Sequence, residues 1–163
     1  MKSVLILRHA KSSWKDPDIT DHDRPLNKRG KGDAPRMGRL LKREHLVPDT
    51  IISSTAVRAR DTAKAVAKAS GYKREIISNP SLYAAGPHVY IDILHDISDE
   101  YARALIVGHN PGLEELVEML TGKSCVMPTC SLAHVKLHLQ NWLEIDYNTK
   151  GWLARIWQPR DLI

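Results

Sequence analysis

The sequence predicts an α/β protein: a three-layer sandwich with a mainly parallel central sheet and helices on both faces. Three observations predict it. Four short apolar runs, Val4–Leu7, Thr50–Ser53, Glu75–Ser78 and Ala104–Val107, have the length and Val/Ile/Leu content of buried strands. Segments with helical spacing alternate with them. The last third of the chain switches to a period of two.

Each strand-like run lies close to breaker residues, and none alternates polar with apolar, as expected when both sheet faces are covered. Ala34, Met37, Leu40 and Leu41 form the first helical stripe. Ala59, Ala63, Val66 and Ala67 form the second, and Tyr90, Ile93, Leu94 and Ile97 the third. Leu113, Leu116, Val117 and Leu120 form the cleanest one. Asn110 suits the N-cap of that helix and Pro111 its first turn. Strand and helix patterns in alternation imply right-handed crossovers. Later, Ala133, Val135, Leu137 and Leu139 alternate with His134, Lys136 and His138, a strand with one wetter face. Trp152–Trp157, after the turn-like Asn148–Gly151, repeats the pattern. Both runs are expected to add antiparallel or edge strands to the same sheet.

The chain has 163 residues, 42% hydrophobic and 26% charged, which suits one globular domain over 1–163 with a core that needs no disulfide or metal. No segment approaches the ~18 apolar residues of a membrane span. The N-terminal apolar run, Val4–Leu7, is too short for a secretory signal, so a cytoplasmic protein is expected. Cys125 and Cys130 do not form a C-x-x-C pair and read as free thiols. The net charge of +5 favours anionic partners. Aromatics are 6% of the chain and do not interleave with the basic stretches at 28–31 and 42–45, which argues against nucleic acid. A phosphorylated substrate, protein or small molecule, remains; the oligomeric state is not readable.

In an open α/β sheet, ligands bind beyond the carboxyl ends of the strands. Arg8 and His9 follow the first run, Ser54, Thr55 and Arg58 the second, and Gly108 and His109 the fourth. Two arginines and two histidines therefore leave three strands at one end. The guanidinium fork matches phosphate oxygens. A helix N-terminus beside His109 also favours an anion. His9 suits a nucleophile, which must be neutral to attack phosphorus. Arg8 and Arg58 disfavour its protonated form. A bond from Nδ1–H to a backbone carbonyl would leave Nε2 free. Among the other histidines, His45, His88 and His95 sit in helical surroundings without ligand partners, and His134 and His138 are expected to be solvated. His22, between Asp21 and Asp23, has too few ligands around it for a metal site.

These residues resemble the motifs of the histidine phosphatase superfamily. VLILRHA, Val4–Ala10, is similar to its RHG signature, with Ala10 as the third signature residue. SSTAVRARDTA, Ser53–Ala63, resembles the second arginine motif, and VGHNPGL, Val107–Leu113, the motif of the second histidine. DHDRPLNKRG, Asp21–Gly30, resembles the R-x-L…G element. The four motifs, in family order, span about residues 4–120, and the small size resembles SixA-type phosphohistidine phosphatases. The resemblance implies a phosphoglycerate mutase-like fold and no metal or cofactor. It also implies His9 as the residue that forms a phosphohistidine. Arg8, Arg58 and His109 would complete the phosphate pocket, with Arg24 as a rim arginine.

One departure bears on substrate. Where many superfamily members carry an acidic residue, this chain reads Leu82-Tyr83-Ala84-Ala85. An alkoxide leaving group needs a proton, and general acid catalysis typically supplies about 10²–10⁴-fold. An imidazole leaves more readily, so the missing acid favours phosphohistidine over phosphate esters. Asp16, Asp18, Asp21 and Asp23 are the carboxylates available as substitutes. The rival readings are a phosphatase of small esters such as sugar or nucleotide phosphates, and a non-catalytic anion-binding module.

Overall fold

A computed structural model of the chain describes residues 1–162. Six strands form one sheet in the order β3-β2-β4-β1-β5-β6. The strands are β1 (Lys2–Arg8), β2 (Thr50–Ser54), β3 (Ile76–Asn79), β4 (Arg103–Gly108), β5 (Leu132–Leu137) and β6 (Trp152–Trp157). β1 pairs in parallel with β4, β4 with β2, and β2 with β3. β5 and β6 extend the sheet through antiparallel pairs. The α/β sandwich with a mainly parallel centre is the architecture the sequence predicts.

Side chains alternate across the sheet and feed two cores. Val4, Ile6, Ala104 and Ile106 face α3 (Pro87–His95) and α4 (Gly112–Thr121). Leu5, Leu7, Leu105 and Val107 face α1 (Lys28–Arg43) and α2 (Val57–Ser70). The aliphatic residues of β1 and β4 in these two sets are fully buried. Each buried aliphatic side chain of this size contributes roughly 1.5–3 kcal/mol. The two cores therefore hold the central strand ends rigidly, and those ends carry the site.

The structure departs from the sequence reading in local detail. β3 is one of the two edge strands and only partly buried, with Ile77 47% exposed; its apolar residues reflect pairing with β2, not enclosure. His134 is buried, because β5 is an interior strand flanked by β1 and β6. His138 is the solvated one, its ring 4.6 Å from that of Trp152. His45 lies beyond α1 with φ 57°, and Ile97 lies beyond α3 while packing on its core. Asn110 does not cap α4, which starts at Gly112. The Asn110 amide instead donates to the Met127 carbonyl at 2.9 Å.

Candidate active site

His9 is the first residue past β1. Its backbone N–H donates to Gly108 O at 3.1 Å, and its carbonyl accepts from Cys130 N at 3.0 Å. It is thereby pinned between the ends of β4 and β5. The next residue is tied to α2: Ala10 N donates to the Thr62 hydroxyl at 2.9 Å, and that hydroxyl donates to Arg58 O at 2.7 Å. The first histidine and the helix bearing Arg58 are thus one hydrogen-bonded unit.

His109 follows β4. Its N–H donates to the Tyr90 hydroxyl at 3.3 Å. Any side chain at the preceding Gly108 would drive a Cβ into that hydroxyl, so glycine is required for the close approach. The rings of His9 and His109 lie 5.1 Å apart between centroids. The two imidazoles expected to converge do so.

The hydrogen bonds fix the imidazole tautomers. His9 Nδ1 lies 2.8 Å from the Ala10 carbonyl oxygen. A carbonyl only accepts, so Nδ1 carries the proton and Nε2 keeps its lone pair. His109 Nε2 lies 2.8 Å from Ser54 Oγ, which already accepts from Ala56 N at 3.2 Å. The accounting that leaves fewest groups unmet has the Ser54 hydroxyl donating to Nε2. The His109 proton then sits on Nδ1.

That Nδ1 is buried without a partner among the described residues, as are Arg8 Nε and Arg58 Nε. An unmet buried donor costs about 1–3 kcal/mol. An oxyanion beside His9 would satisfy such donors. The far ends of both arginines are anchored. Arg8 Nη1 donates to Met127 O at 3.0 Å. Arg58 Nη1 donates to Asp21 O at 2.6 Å, and its Nη2 to Asp21 Oδ2 at 3.0 Å.

Burial pushes His9 down to about 3, although its bond to Ala10 opposes this; His109, Arg58 and Arg8 lower it further. Burial also brings His109 down to about 4, assisted mainly by Arg58, with Asp21 opposing. Both rings are therefore neutral at pH 7. A neutral first imidazole has a free lone pair for attack, and the guanidinium groups supply the positive field.

Asp21, one of the four loop carboxylates, is drawn into the site. It accepts from Arg24 Nε at 3.1 Å and from the Tyr83 hydroxyl at 2.5 Å, besides its bonds to Arg58. Tyr83, then Arg58 and Arg24, hold its carboxyl down at about 2 against partial burial. It is ionised, acts as a clamp for Arg58, and is a poor proton donor at neutral pH. Arg24 lies behind it, 7% exposed, with Nη1 on Ser12 Oγ at 2.8 Å and its guanidinium 3.4 Å from the centroid of the Trp14 ring. Arg24 thus joins the site through Asp21. Asp16, Asp18 and Asp23 lie on exposed parts of the same loop.

Tyr83, in the stretch Leu82-Tyr83-Ala84-Ala85, stands edge-on to His109 at 5.6 Å and to His22 at 5.0 Å. His22 Nε2 is hydrogen-bonded to the Thr55 hydroxyl at 2.9 Å, and its Nδ1 lies 3.2 Å from Asp23 Oδ1. Among the described residues, no group of three or more His, Cys, Asp or Glu could hold a metal ion. A groove of about 300 Å³ runs beside His109, lined by Ala84, Ala85, Gly86, Pro111 and Gly112. Ser54, Tyr83 and the Met127 carbonyl are site residues that the sequence reading left without a role, and Asp21, considered there as a substitute acid, instead binds Arg58. The position of Ser54, next to the second strand end, was the one local signal.

Comparison with known proteins bears on the family and the fold. The model of the histidine phosphatase superfamily (branch 1) matches residues 4–83. An uncharacterized chloroplastic protein of Arabidopsis thaliana is 35% identical over 152 residues, covering 88% of this chain and 70% of that protein. Among solved structures, a SixA chain of Agrobacterium tumefaciens, assigned as a phosphohistidine phosphatase, gives a TM-score of 0.83 at 28% identity. It covers 97% of this chain and 98% of its own. The protein histidine phosphatase SixA complexed with tungstate shares the fold, with a TM-score of 0.84 at 22% identity and 98% of each chain covered.

Proposed function

This chain belongs to the histidine phosphatase superfamily and is of the SixA type, and from that premise we propose that it dephosphorylates phosphohistidine in a protein through a phosphoryl group carried on His9. The observation that carries the reading is the set of buried, unpartnered donors on Arg8, Arg58 and His109 around a neutral imidazole with its Nδ1 already engaged.

In the first step His9 Nε2 attacks phosphorus in line. The new P–N bond forms as the bond to the leaving imidazole breaks, and that imidazole retains or gains a proton from solvent. Arg8, Arg58 and His109 hold the equatorial oxygens, where charge accumulates. In the second step water attacks phosphorus, the bond to His9 breaks, and orthophosphate leaves.

Substrate class follows from the proton inventory. Asp21 is held ionised, and the stretch Leu82-Tyr83-Ala84-Ala85 holds no carboxylate to serve as a general acid. An imidazole leaving group needs that acid least. Trp14, 72% exposed and stacked on Arg24, offers an apolar contact near Asp21 suited to a macromolecular substrate. The test is a substrate panel of a phosphohistidine protein against p-nitrophenyl phosphate and sugar phosphates. A higher kcat/KM on the phosphohistidine protein is expected. Preference for an ester would replace it with the small-ester reading, and phosphate binding without turnover on any substrate would replace it with a binding module.

A further inference from the structure

A second cavity lies at the opposite end of the sheet. β1 runs from Lys2 to Arg8, and at about 3.3 Å per residue it separates that end from the catalytic end by about 20 Å. The cavity encloses about 440 Å³ and is lined by Lys2, Ser3, Asp49, Arg103, His134 and Lys136, among others.

The pairing register makes this an organised cluster. Ser3 lies opposite Arg103 on β4 and opposite Lys136 on β5. Arg103, Ser3 and Lys136 thus form one row across three neighbouring strands, on one face of the sheet, about 10 Å from end to end. His134, two residues from Lys136, lies in the next row of the same face. It is 6% exposed, and its Nε2 has no partner among the described residues. Arg103 Nε is likewise buried and unpartnered, and its Nη1 makes only long contacts, 3.4 Å and 3.5 Å, with the carbonyls of His45 and Val47.

The charges do not cancel. Lys2 is engaged by the carbonyls of Asp99 and Tyr101 and lies 3.8 Å from the Asp99 carboxylate. Asp49 Oδ2 accepts the backbone N–H groups of Ala102 and Arg103. Among the described residues, no ion pair engages Arg103 or Lys136. Burial, then Arg103 and Lys136, hold His134 down at about 4.

We propose that this cavity is a second anion site, for a phosphate-type dianion held by Arg103, Lys136, the Ser3 hydroxyl and His134. The dianion is either free phosphate or the phosphoryl end of a small metabolite; a cavity above about 300 Å³ has room for both. Anion binding in this cavity is independent of what His9 does.

Site-resolved NMR tests it. Inorganic phosphate and adenosine monophosphate are titrated separately into the protein at constant ionic strength. The expected result is saturable movement of the Ser3, His134 and Lys136 signals. Their midpoint should differ from that of His9 and His109. Tighter saturation by the nucleotide identifies a phosphomonoester as the ligand, and equal saturation identifies the free anion. Lys136→Glu should weaken that binding at least about tenfold, with kcat/KM unchanged and the remaining spectrum intact. Signals that stay fixed, that follow chloride equally, or that saturate unaltered in Lys136→Glu would overturn the proposal.

Discussion

Ser54 Oγ lies 2.8 Å from His109 Nε2, and this contact joins the end of β2 to the histidine that follows β4. It sets which nitrogen of His109 is left to meet an anion. Ser54→Ala removes the hydrogen bond while sparing the phosphate-facing groups. A neutral hydrogen bond is worth about 0.5–1.5 kcal/mol, so a loss of up to about tenfold in kcat/KM is expected. Replacing His109 itself with alanine should cost about 10²–10³-fold, the scale for a preorganised donor to transition-state charge. Steady-state kinetics on the two variants checks the order.

Arg58 contributes a charge-assisted donor to the proposed phosphate shell. At about 1.5–3 kcal/mol for such a bond, Arg58→Ala should weaken inhibition by vanadate about 10- to 100-fold. Arg58→Lys should recover only part, since a point charge cannot both reach Asp21 and face the anion as the planar fork does. Unchanged vanadate inhibition in Arg58→Ala would remove this residue from the pocket.

Asp21 clamps Arg58 from behind, so Asp21→Ala should weaken vanadate binding by less than Arg58→Ala does. The double variant should lose little more than Arg58→Ala alone, because the carboxylate acts through the guanidinium. Additive losses in this cycle would mean that Asp21 acts on the anion by another route.

The pH dependence follows from the depressed histidines. Below about pH 6.5 the unfolded chain takes up protons at positions 9 and 109, whereas the folded chain does not until about 3 and about 4. The folded state binds fewer protons, so stability drops as pH falls from 6.5 through this window. His9→Asn should show a smaller loss of urea midpoint between pH 7 and pH 5 than the wild type. Ring ¹⁵N spectra at pH 6 should show His9 neutral with its proton on Nδ1. A protonated His9 at that pH would contradict the proposed ground state.

The central strands and the convergence of Arg8, His9, Arg58 and His109 were legible because each depends on local pattern. Short aliphatic runs with no polar alternation read as doubly covered strands, and the residues after them fall at one end. What stayed hidden depends on tertiary pairing. Ile76 and Ile77 look like core, yet β3 is an edge because strand order is not written locally. His134 looks solvated on a period-two strand, yet β6 closes its flank. Asp21 and Ser54 gain their roles only when a distant segment folds against them, and no spacing rule signals a bond across 37 or 55 residues.

The proposed mechanism makes His9 Nε2 the acceptor of phosphorus. Enzyme mixed with a phosphohistidine protein labelled with ³²P, and quenched in alkali within the first turnover, should carry label on a peptide containing residue 9. The bond should be stable to base and labile to acid. His9→Ala should carry none and lose activity by about 10³-fold or more. Full turnover by His9→Ala, or label on any other residue, would contradict the mechanism.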